Sequence, residues 1–237
     1  MSVTWKLRLA SRLLGALLGL GMAGGPASAM EFATPSGKDG VRIVVARGLI
    51  VEGDAERFRV ALQSVDRDSF GHKTVVLDSM GGVVGEAFAI AAFMDDDRVA
   101  TVVRSGASCA SACAQIVFLA GLHRIVDDGG RLGLHSCRTA VGGSPSLYCN
   151  DLIAQHAVAH GTIYGPIMAF MQMAGSGEVR WFDSGEADCW GLTRWPPGMG
   201  RGTQAGELPL CLLKGPPAKA TVTRARDAQN PRPQRYE

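Results

Sequence analysis

Three short segments of this 237-residue chain combine the residue types that acyl-transfer chemistry requires. Residues 109–113 (Cys-Ala-Ser-Ala-Cys) place Ser111 between a strand-like run and an apolar, helix-like run. His135 ends a second apolar run, and a third run leads into the glycine pair Gly81 and Gly82. A serine nucleophile needs a general base and two N–H donors that hold the oxyanion of the tetrahedral intermediate. The three segments therefore indicate a serine hydrolase site.

Each of these residues also has a simpler structural explanation. Ser111 could cap the helix that follows it, and His135 could be a core histidine bonded to the backbone. As catalytic groups, Ser111 is the candidate nucleophile and His135 the candidate general base. The N–H of Gly82, in a turn without side chains, and that of Ala112, at the helix start, are the candidate oxyanion-hole donors.

The group that would orient His135 has two main candidates, and Asp151 is a remoter one. Glu178 and Asp183 are the carboxylates that precede a short helix predicted at residues 184–190. Asp183 is equally suited to cap that helix. A Ser–His dyad without a carboxylate is the alternative to a triad.

No metal, cofactor or nucleic acid is predicted. His156 and His160 lie four residues apart on a predicted helix, a spacing that can bind zinc. No glutamate accompanies them and no third ligand stands out, so the chain lacks a recognisable zinc motif. The formal net charge of +2 gives no reason to expect a nucleic-acid partner.

The N-terminal residues 1–29 have the features of a secretory signal peptide. A basic start precedes an apolar run at residues 13–23, and small residues then form an A-x-A pattern that predicts cleavage after Ala29. The alternative is an uncleaved membrane anchor, and no later run approaches the ~18 apolar residues of a membrane helix. We therefore expect a periplasmic or secreted protein, with membrane contact only through an uncleaved signal segment.

All six cysteines lie in the part of the chain that would be exported. An even number of cysteines in an oxidising compartment predicts disulfides. The predicted pairs are Cys137–Cys149, Cys189–Cys211 and Cys109–Cys113. The first pair brackets a Gly-Gly-Ser-Pro loop, the second ties down the C-terminal part, and the third consists of the two cysteines beside Ser111. Two buried free thiols are the alternative for the third pair.

Strand-like and helix-like runs alternate along residues 30–211, which predicts one α/β domain. Residues 74–78 are apolar on both faces, as in a buried parallel strand, and a helix is predicted over residues 83–94. Residues 150–174 predict one long helix or a broken pair. Residues 212–237 are poor in large apolar residues and predict a disordered tail. Periodicity alone does not distinguish a spiral of such units from a Rossmann-like sheet.

Four motifs, in this order, resemble the Clp protease proteolytic subunit and its superfamily, which includes signal peptide peptidase A-like enzymes and the crotonases. The motifs are Asp78-Ser79-Met80-Gly81-Gly82, Ala110-Ser111-Ala112, Gly133-Leu134-His135, and Ser184-Gly185-Glu186-Ala187 followed by Gly191-Leu192. The similarity covers residues 41–192. It is greatest to exported bacterial Clp-protease-like proteins, which share the Cys-x-Ser-x-Cys block.

The resemblance implies a Clp-protease/crotonase-like spiral of ββα units with serine peptidase chemistry. Ser111 matches the family's nucleophile, His135 matches its base, and Gly82 and Ala112 match its oxyanion-hole positions. The family's catalytic aspartate falls at Val179, so the third group is not matched in this chain.

Two functions follow from these residues. The first is an exported serine hydrolase, specifically a peptidase acting on a peptide or protein substrate. The second is a catalytically degenerate binding or assembly protein on the same fold. A crotonase-type acyl-CoA enzyme is a third reading, but coenzyme A is not expected outside the cytoplasm. Relatives form rings or trimers, so a homo-oligomer is expected by analogy.

Overall fold

The computed structural model describes six stretches of the chain: residues 29–37, 39–138, 143–174, 177–199, 207–214 and 221–224. The predicted signal peptide lies outside the described residues except for Ala29. Within the described stretches, no helix has the length and apolar character needed to cross a membrane.

Strands and helices alternate along these stretches. The strands are β1 (Glu31–Ala33), β2 (Val44–Arg47), β3 (Lys73–Asp78), β4 (Val99–Val103), β5 (Ser108–Ala110), β6 (His123–Val126), β7 (Arg131–Leu134), β8 (Glu178–Phe182) and β9 (Thr221–Arg224). The α-helices are α1 (Asp54–Gln63), α2 (Val84–Asp95), α3 (Leu147–Ala159), α4 (Tyr164–Met173), α5 (Ser184–Cys189) and α6 (Leu210–Lys214). A π-helix (Cys113–Phe118) lies between β5 and β6.

The first sheet has five strands in the order β1-β2-β3-β4-β6. Strands β2, β3, β4 and β6 are parallel, and β1 pairs with β2 in the antiparallel direction. All five residues of β4 are buried, and β3 is mostly buried. These strands are apolar on both faces because helices or other strands cover both sides of a parallel sheet. The predicted parallel sheet is confirmed for this part of the chain.

The second sheet is mixed, with the order β5-β7-β8-β9. Only β5 and β7 are parallel, whereas β8 pairs antiparallel with both β7 and β9. Both sheets contribute to one hydrophobic core, so the described residues form one mixed α/β domain. The sequence pattern alone did not predict the antiparallel pairing of β8 with β7 and β9, because alternating strand and helix runs favour parallel pairing.

A short main-chain link joins the two sheets. The chain that leaves β3 runs alongside β5, where Ser79 N donates to Ser108 O at 2.8 Å and Ala110 N donates to Ser79 O at 2.9 Å. This link brings the glycine turn after β3 to the end of β5, where Ser111 follows.

The predicted helical region at residues 150–174 is a broken pair. Helix α3 ends before Gly161, which has a φ of 77°, and α4 begins at Tyr164. In α4, Phe170 packs edge-on against Phe182 and Trp190, with ring centroids 4.8 and 4.9 Å apart. These contacts place α4 over the second sheet and α5.

All three predicted disulfides form, with Cα–Cα distances of 5.4 Å for Cys109–Cys113, 5.9 Å for Cys137–Cys149 and 5.1 Å for Cys189–Cys211. The alternative of two free thiols beside Ser111 is therefore wrong. Three disulfides fit a protein of an oxidising compartment.

The predicted disordered tail contains two ordered elements. Helix α6 overlaps its start, and strand β9 pairs with β8 in the antiparallel direction. Disorder is therefore the wrong prediction for these two segments, and the remaining residues after 214 lie outside the described ones. The β9 segment contains β-branched residues, and β8 supplies its main-chain partners, which composition alone does not reveal.

A buried ion pair between β8 and α5 gives a stability prediction. Arg180 Nη2 lies 2.8 Å from Glu186 Oε1, and both side chains are almost completely buried. Replacing Glu186 takes a carboxylate away from a buried guanidinium. We expect Glu186→Ala to lower the free energy of unfolding of the oxidised protein by about 3–5 kcal/mol in urea denaturation. Glu178→Ala, at an exposed position of β8, should change it by less than about 0.5 kcal/mol. Equal losses in both variants would contradict the prediction.

Candidate active site

Ser111 lies at the turn between β5 and the π-helix, as predicted. Its φ of 56° is left-handed, a conformation that it shares with Arg98 alone among the described non-glycine residues. Left-handed backbone costs a residue with a Cβ about 1–2 kcal/mol, and such residues concentrate at functional sites. A strained strand-to-helix turn is also the geometry that exposes the nucleophilic serine in many hydrolases.

The hydroxyl of Ser111 is not engaged in a structural role. Among the described residues it makes no hydrogen bond, and the π-helix has no side-chain cap. The helix-cap explanation of Ser111 is therefore wrong. The Cys109–Cys113 disulfide encloses the turn, and both cysteines are fully buried. The disulfide thus holds the two ends of the turn while Ser111 remains partly exposed.

The glycine turn after β3 lies directly against Ser111. A Cβ atom at Gly81 would come within 2.7 Å of Ser111 Cβ and 2.8 Å of Ala112 N, so only glycine fits there. Gly81 N donates to Ser79 Oγ at 3.1 Å. Within the described part of the chain, the N–H groups of Gly82 and Ala112 donate no hydrogen bond. Two unpaired main-chain donors beside a serine are what an oxyanion hole requires.

His135 is half-buried and holds one of its ring nitrogens against the backbone. Nδ1 lies 2.7 Å from Ser136 O. A carbonyl oxygen only accepts, so Nδ1 carries the proton and Nε2 is left as an acceptor. This is the tautomer in which a histidine takes a proton from a serine. Burial lowers the pKa of His135, and this outweighs the opposing effect of the Ser136 hydrogen bond. The imidazole is therefore neutral at pH 7.

Main-chain and side-chain contacts bring the Ser111 and His135 segments together. Ser111 N donates to Gly133 O at 2.8 Å, and Gln115 Nε2 donates to His135 O at 3.0 Å. The main-chain N of Gln115 also donates to Ser111 O at 2.8 Å, so this buried residue links both segments. Gln115 belongs to the site although it lies in no catalytic motif. Its signal in the sequence is a lone strongly polar residue within the apolar run at residues 112–121.

Neither predicted carboxylate orients His135. Asp183 Oδ1 instead accepts from Glu186 N at 2.8 Å and caps α5, which is the alternative role predicted for it. Glu178 is exposed at the start of β8 and makes no hydrogen bond to His135. Strands β7 and β8 pair Leu134 with Arg180, and continuing this register by one residue sets His135 opposite Val179. The position from which a carboxylate could reach the ring thus holds a buried valine.

The Ser136 carbonyl takes the place of that carboxylate, and α3 holds it in position. Asn150, which is buried in α3, donates from Nδ2 to Ser136 Oγ at 2.9 Å. Its Oδ1 accepts from Cys137 N at 2.7 Å. The Cys137–Cys149 disulfide ties the same loop to the helix residue next to Asn150. Asn150 is therefore a positioning residue for His135.

Ser111 and His135 are not yet joined as nucleophile and base. No hydrogen bond joins Ser111 Oγ to His135 among the described residues. Catalytic hydrogen bonds are often long without substrate and tighten when it binds.

The histidines with zinc-like spacing make contacts within the protein. His156 Nε2 lies 3.0 Å from Ile116 O, and His160 Nε2 lies 2.8 Å from Asp95 Oδ1. The centroids of the two rings are 4.2 Å apart, and the ring planes are tilted by 49°. The described residues contain no cluster of three or more His, Cys, Asp or Glu side chains arranged to hold a metal ion.

No family model matches the chain. A search of the curated proteins also finds no similar sequence. The resemblance to the Clp protease superfamily therefore rests on the four motifs and stays a prediction. The site itself is defined by its geometry around Ser111 and His135.

The left-handed backbone of Ser111 predicts a gain in stability when it is replaced by glycine. Glycine adopts positive φ without steric cost, although its unfolded chain is more flexible. We expect the free energy of unfolding of Ser111→Gly to exceed that of Ser111→Ala by about 1 kcal/mol, measured by urea denaturation. Both variants lack the hydroxyl, so their comparison isolates the backbone. Equal stabilities would show that the turn is not strained.

Proposed function

We propose that the chain is an exported serine hydrolase, a peptidase, that uses Ser111 and His135 as a catalytic dyad. The observation that carries the proposal is the left-handed, disulfide-enclosed turn, in which the Ser111 hydroxyl has no hydrogen-bond partner among the described residues. The free N–H groups of Gly82 and Ala112 and the tautomer of His135 support it.

The reaction uses these groups in sequence. Ser111 Oγ attacks the peptide carbonyl carbon while His135 Nε2 accepts the hydroxyl proton. The N–H groups of Gly82 and Ala112 stabilise the oxyanion, and each such donor contributes about 10²–10³ in rate. The C–N bond then breaks, and His135 gives the proton to the leaving amine. Water then attacks the acyl-enzyme while His135 Nε2 accepts a proton from it. The ester bond to Ser111 breaks, and His135 returns the proton to Ser111 Oγ.

The dyad predicts slow turnover. The Ser136 carbonyl keeps His135 in the correct tautomer, but it carries no charge that would stabilise the imidazolium formed during attack. In serine proteases with a triad, the buried aspartate performs both tasks. In this site the partner of His135 fixes the tautomer but does not compensate the charge.

Fold and location are part of the proposal. The parallel units of the first sheet and the main-chain link between the end of β3 and β5 support a Clp-protease/crotonase-like spiral of ββα units. The three disulfides support a periplasmic or secreted location. A peptide or protein substrate follows from the proposed chemistry, and self-association remains an expectation by analogy.

A catalytically degenerate binding or assembly protein is the second candidate. Two observations favour it: Val179 opposite His135, and the lack of a Ser111–His135 hydrogen bond among the described residues. A binding protein on this fold would keep the turn but not the reactivity of Ser111.

Covalent labelling with a fluorophosphonate tests the proposed hydrolase. We expect the oxidised protein to be labelled, Ser111→Ala and His135→Ala to lose labelling, and Ser105→Ala, at an exposed serine, to keep it.

The labelling rate should also depend on pH. Protonated His135 cannot accept the hydroxyl proton, so the labelling rate should fall as the pH decreases. Because the pKa of His135 is lowered, half the maximal rate should be reached below about pH 6.5. Absent labelling of the folded protein, or unchanged labelling of Ser111→Ala, would favour the binding protein.

Restoring a carboxylate opposite His135 gives an independent test. We expect Val179→Asp to raise the labelling rate at least about tenfold over Val179→Asn, because only the aspartate compensates the imidazolium charge. The aspartate should also raise the pKa of His135 and move the pH profile upward. Thermal unfolding of both variants checks that they fold. Equal rates and equal pH profiles for the two folded variants would contradict a role of His135 as the base.

A further inference from the structure

Helix α6 and the residues just before it present leucines to solvent. Four leucine side chains in this stretch have exposed fractions between 44% and 64%: Leu208, Leu210, Leu212 and Leu213. We call them the leucine patch. A single exposed leucine is ordinary, but several exposed apolar side chains side by side mark a surface that contacts something other than water.

The Cys189–Cys211 disulfide holds the leucine patch outward. Cys211 is only 1% exposed, and Pro209 is also buried, so these two residues face the domain. Leu212 N donates to Pro209 O at 3.0 Å, which closes the turn between them. The bridge fixes Cys211 to the end of α5. The leucines on either side of Cys211 therefore cannot turn into the core while the disulfide is intact.

Charge is distributed unevenly on the two sides of the leucine patch. Residues 30–213 contain 15 Lys or Arg and 20 Asp or Glu, so this part of the chain is net negative. Residues 214–237 follow the patch directly and contain 6 Lys or Arg and 2 Asp or Glu. Such an asymmetry within one chain indicates that the cationic segment meets an anionic partner.

The composition of the leucine patch favours lipid over protein as that partner. Protein interfaces derive most of their energy from Trp, Tyr and Arg, and leucine is under-represented among their important residues. A bilayer requires no directional contacts, because its acyl region accepts leucine and its anionic head groups attract Lys and Arg. A second copy of the chain in a two-fold contact would instead bring two cationic segments together, where they repel each other.

We propose that the leucine patch and the basic residues after it bind the surface of an anionic phospholipid bilayer. The leucines enter the boundary between head groups and acyl chains, and the Lys and Arg side chains of residues 214–237 contact the lipid phosphates. This contact is separate from any membrane contact of residues 1–29. It does not depend on the chemistry of Ser111.

Vesicle sedimentation tests the proposal. The hydrophobic core around the first sheet begins at Met30, so the oxidised chain that starts there keeps the folded domain and lacks the apolar signal segment. We expect this chain to sediment with vesicles of phosphatidylcholine and phosphatidylglycerol. Its binding to vesicles of phosphatidylcholine alone should be at least about tenfold weaker. Added salt should weaken binding to the anionic vesicles, because it screens the attraction.

A leucine variant connects the binding to the patch. Transfer of one leucine side chain out of water contributes a factor of about ten or more. We therefore expect the double variant Leu212→Ser/Leu213→Ser to bind anionic vesicles at least about tenfold more weakly. The matched control is Leu147→Ser/Tyr148→Ser, which removes two equally exposed apolar side chains from α3 and should bind as the unmodified chain does. Thermal unfolding checks that both variants fold.

A charge variant tests the cationic part separately. Arg226→Gln/Arg232→Gln/Arg235→Gln leaves the leucines and β9 unchanged. Each removed charge should weaken binding to anionic vesicles about fivefold and leave binding to phosphatidylcholine unchanged. The single variant Arg104→Gln, at an exposed arginine outside this segment, should bind anionic vesicles as the unmodified chain does.

Three results would overturn the proposal. The first is a folded, oxidised chain that binds neither kind of vesicle. The second is equal binding by the unmodified chain and by Leu212→Ser/Leu213→Ser. The third is a chain that forms dimers in sedimentation equilibrium without lipid, loses them in the leucine variant and does not bind vesicles, because a second copy would then cover the leucine patch.

Discussion

The pairing of Ser79 with the strand that leads to Ser111 is the constraint on which the candidate site depends. Two hydrogen bonds there, to Ser108 and from Ala110, join the parallel sheet to the mixed sheet. They fix the glycine turn against the serine turn so closely that a single added carbon at Gly81 would collide with it. Without this link, the two unpaired N–H groups would belong to unrelated surfaces.

The sequence was most informative where chemistry and backbone geometry coincide. The position of Ser111 at a strand-to-helix turn, the glycine turn and all three disulfides could be predicted, because glycine and cysteine patterns act over short distances. The third group of the site could not. Asp183 is a good helix cap in any fold, and the resemblance indicates only that Val179 occupies the position of the family's aspartate. The pairing of β7 with β8 then sets Val179 opposite His135. The antiparallel pairing of β8 and β9 could not be predicted for the same reason, because the partners of a strand depend on the whole sheet.

The orientation of His135 shows how a main-chain group can take over part of a side chain's task. The Ser136 carbonyl fixes the tautomer, and Asn150 fixes Ser136. Gln115 adds a second link between the histidine and the serine helix. Neutral hydrogen bonds thus fix the orientation of His135. Among the residues that the structure describes, no carboxylate is bonded to His135 to compensate the charge of its imidazolium form. This separation explains why the same site supports both a slow hydrolase and a binding protein as candidate functions.

The placement of the disulfides has a consequence for when the site is complete. Ser111 lies two residues from each cysteine of one bridge, and His135 lies two residues before a cysteine of another. The two groups that would react are therefore each held by a bond that forms only by oxidation. A newly made chain in a reducing compartment carries the same side chains without either restraint. Assembly of the site is in this way tied to the compartment that the chain has reached, and a precursor retained at its place of synthesis would lack it.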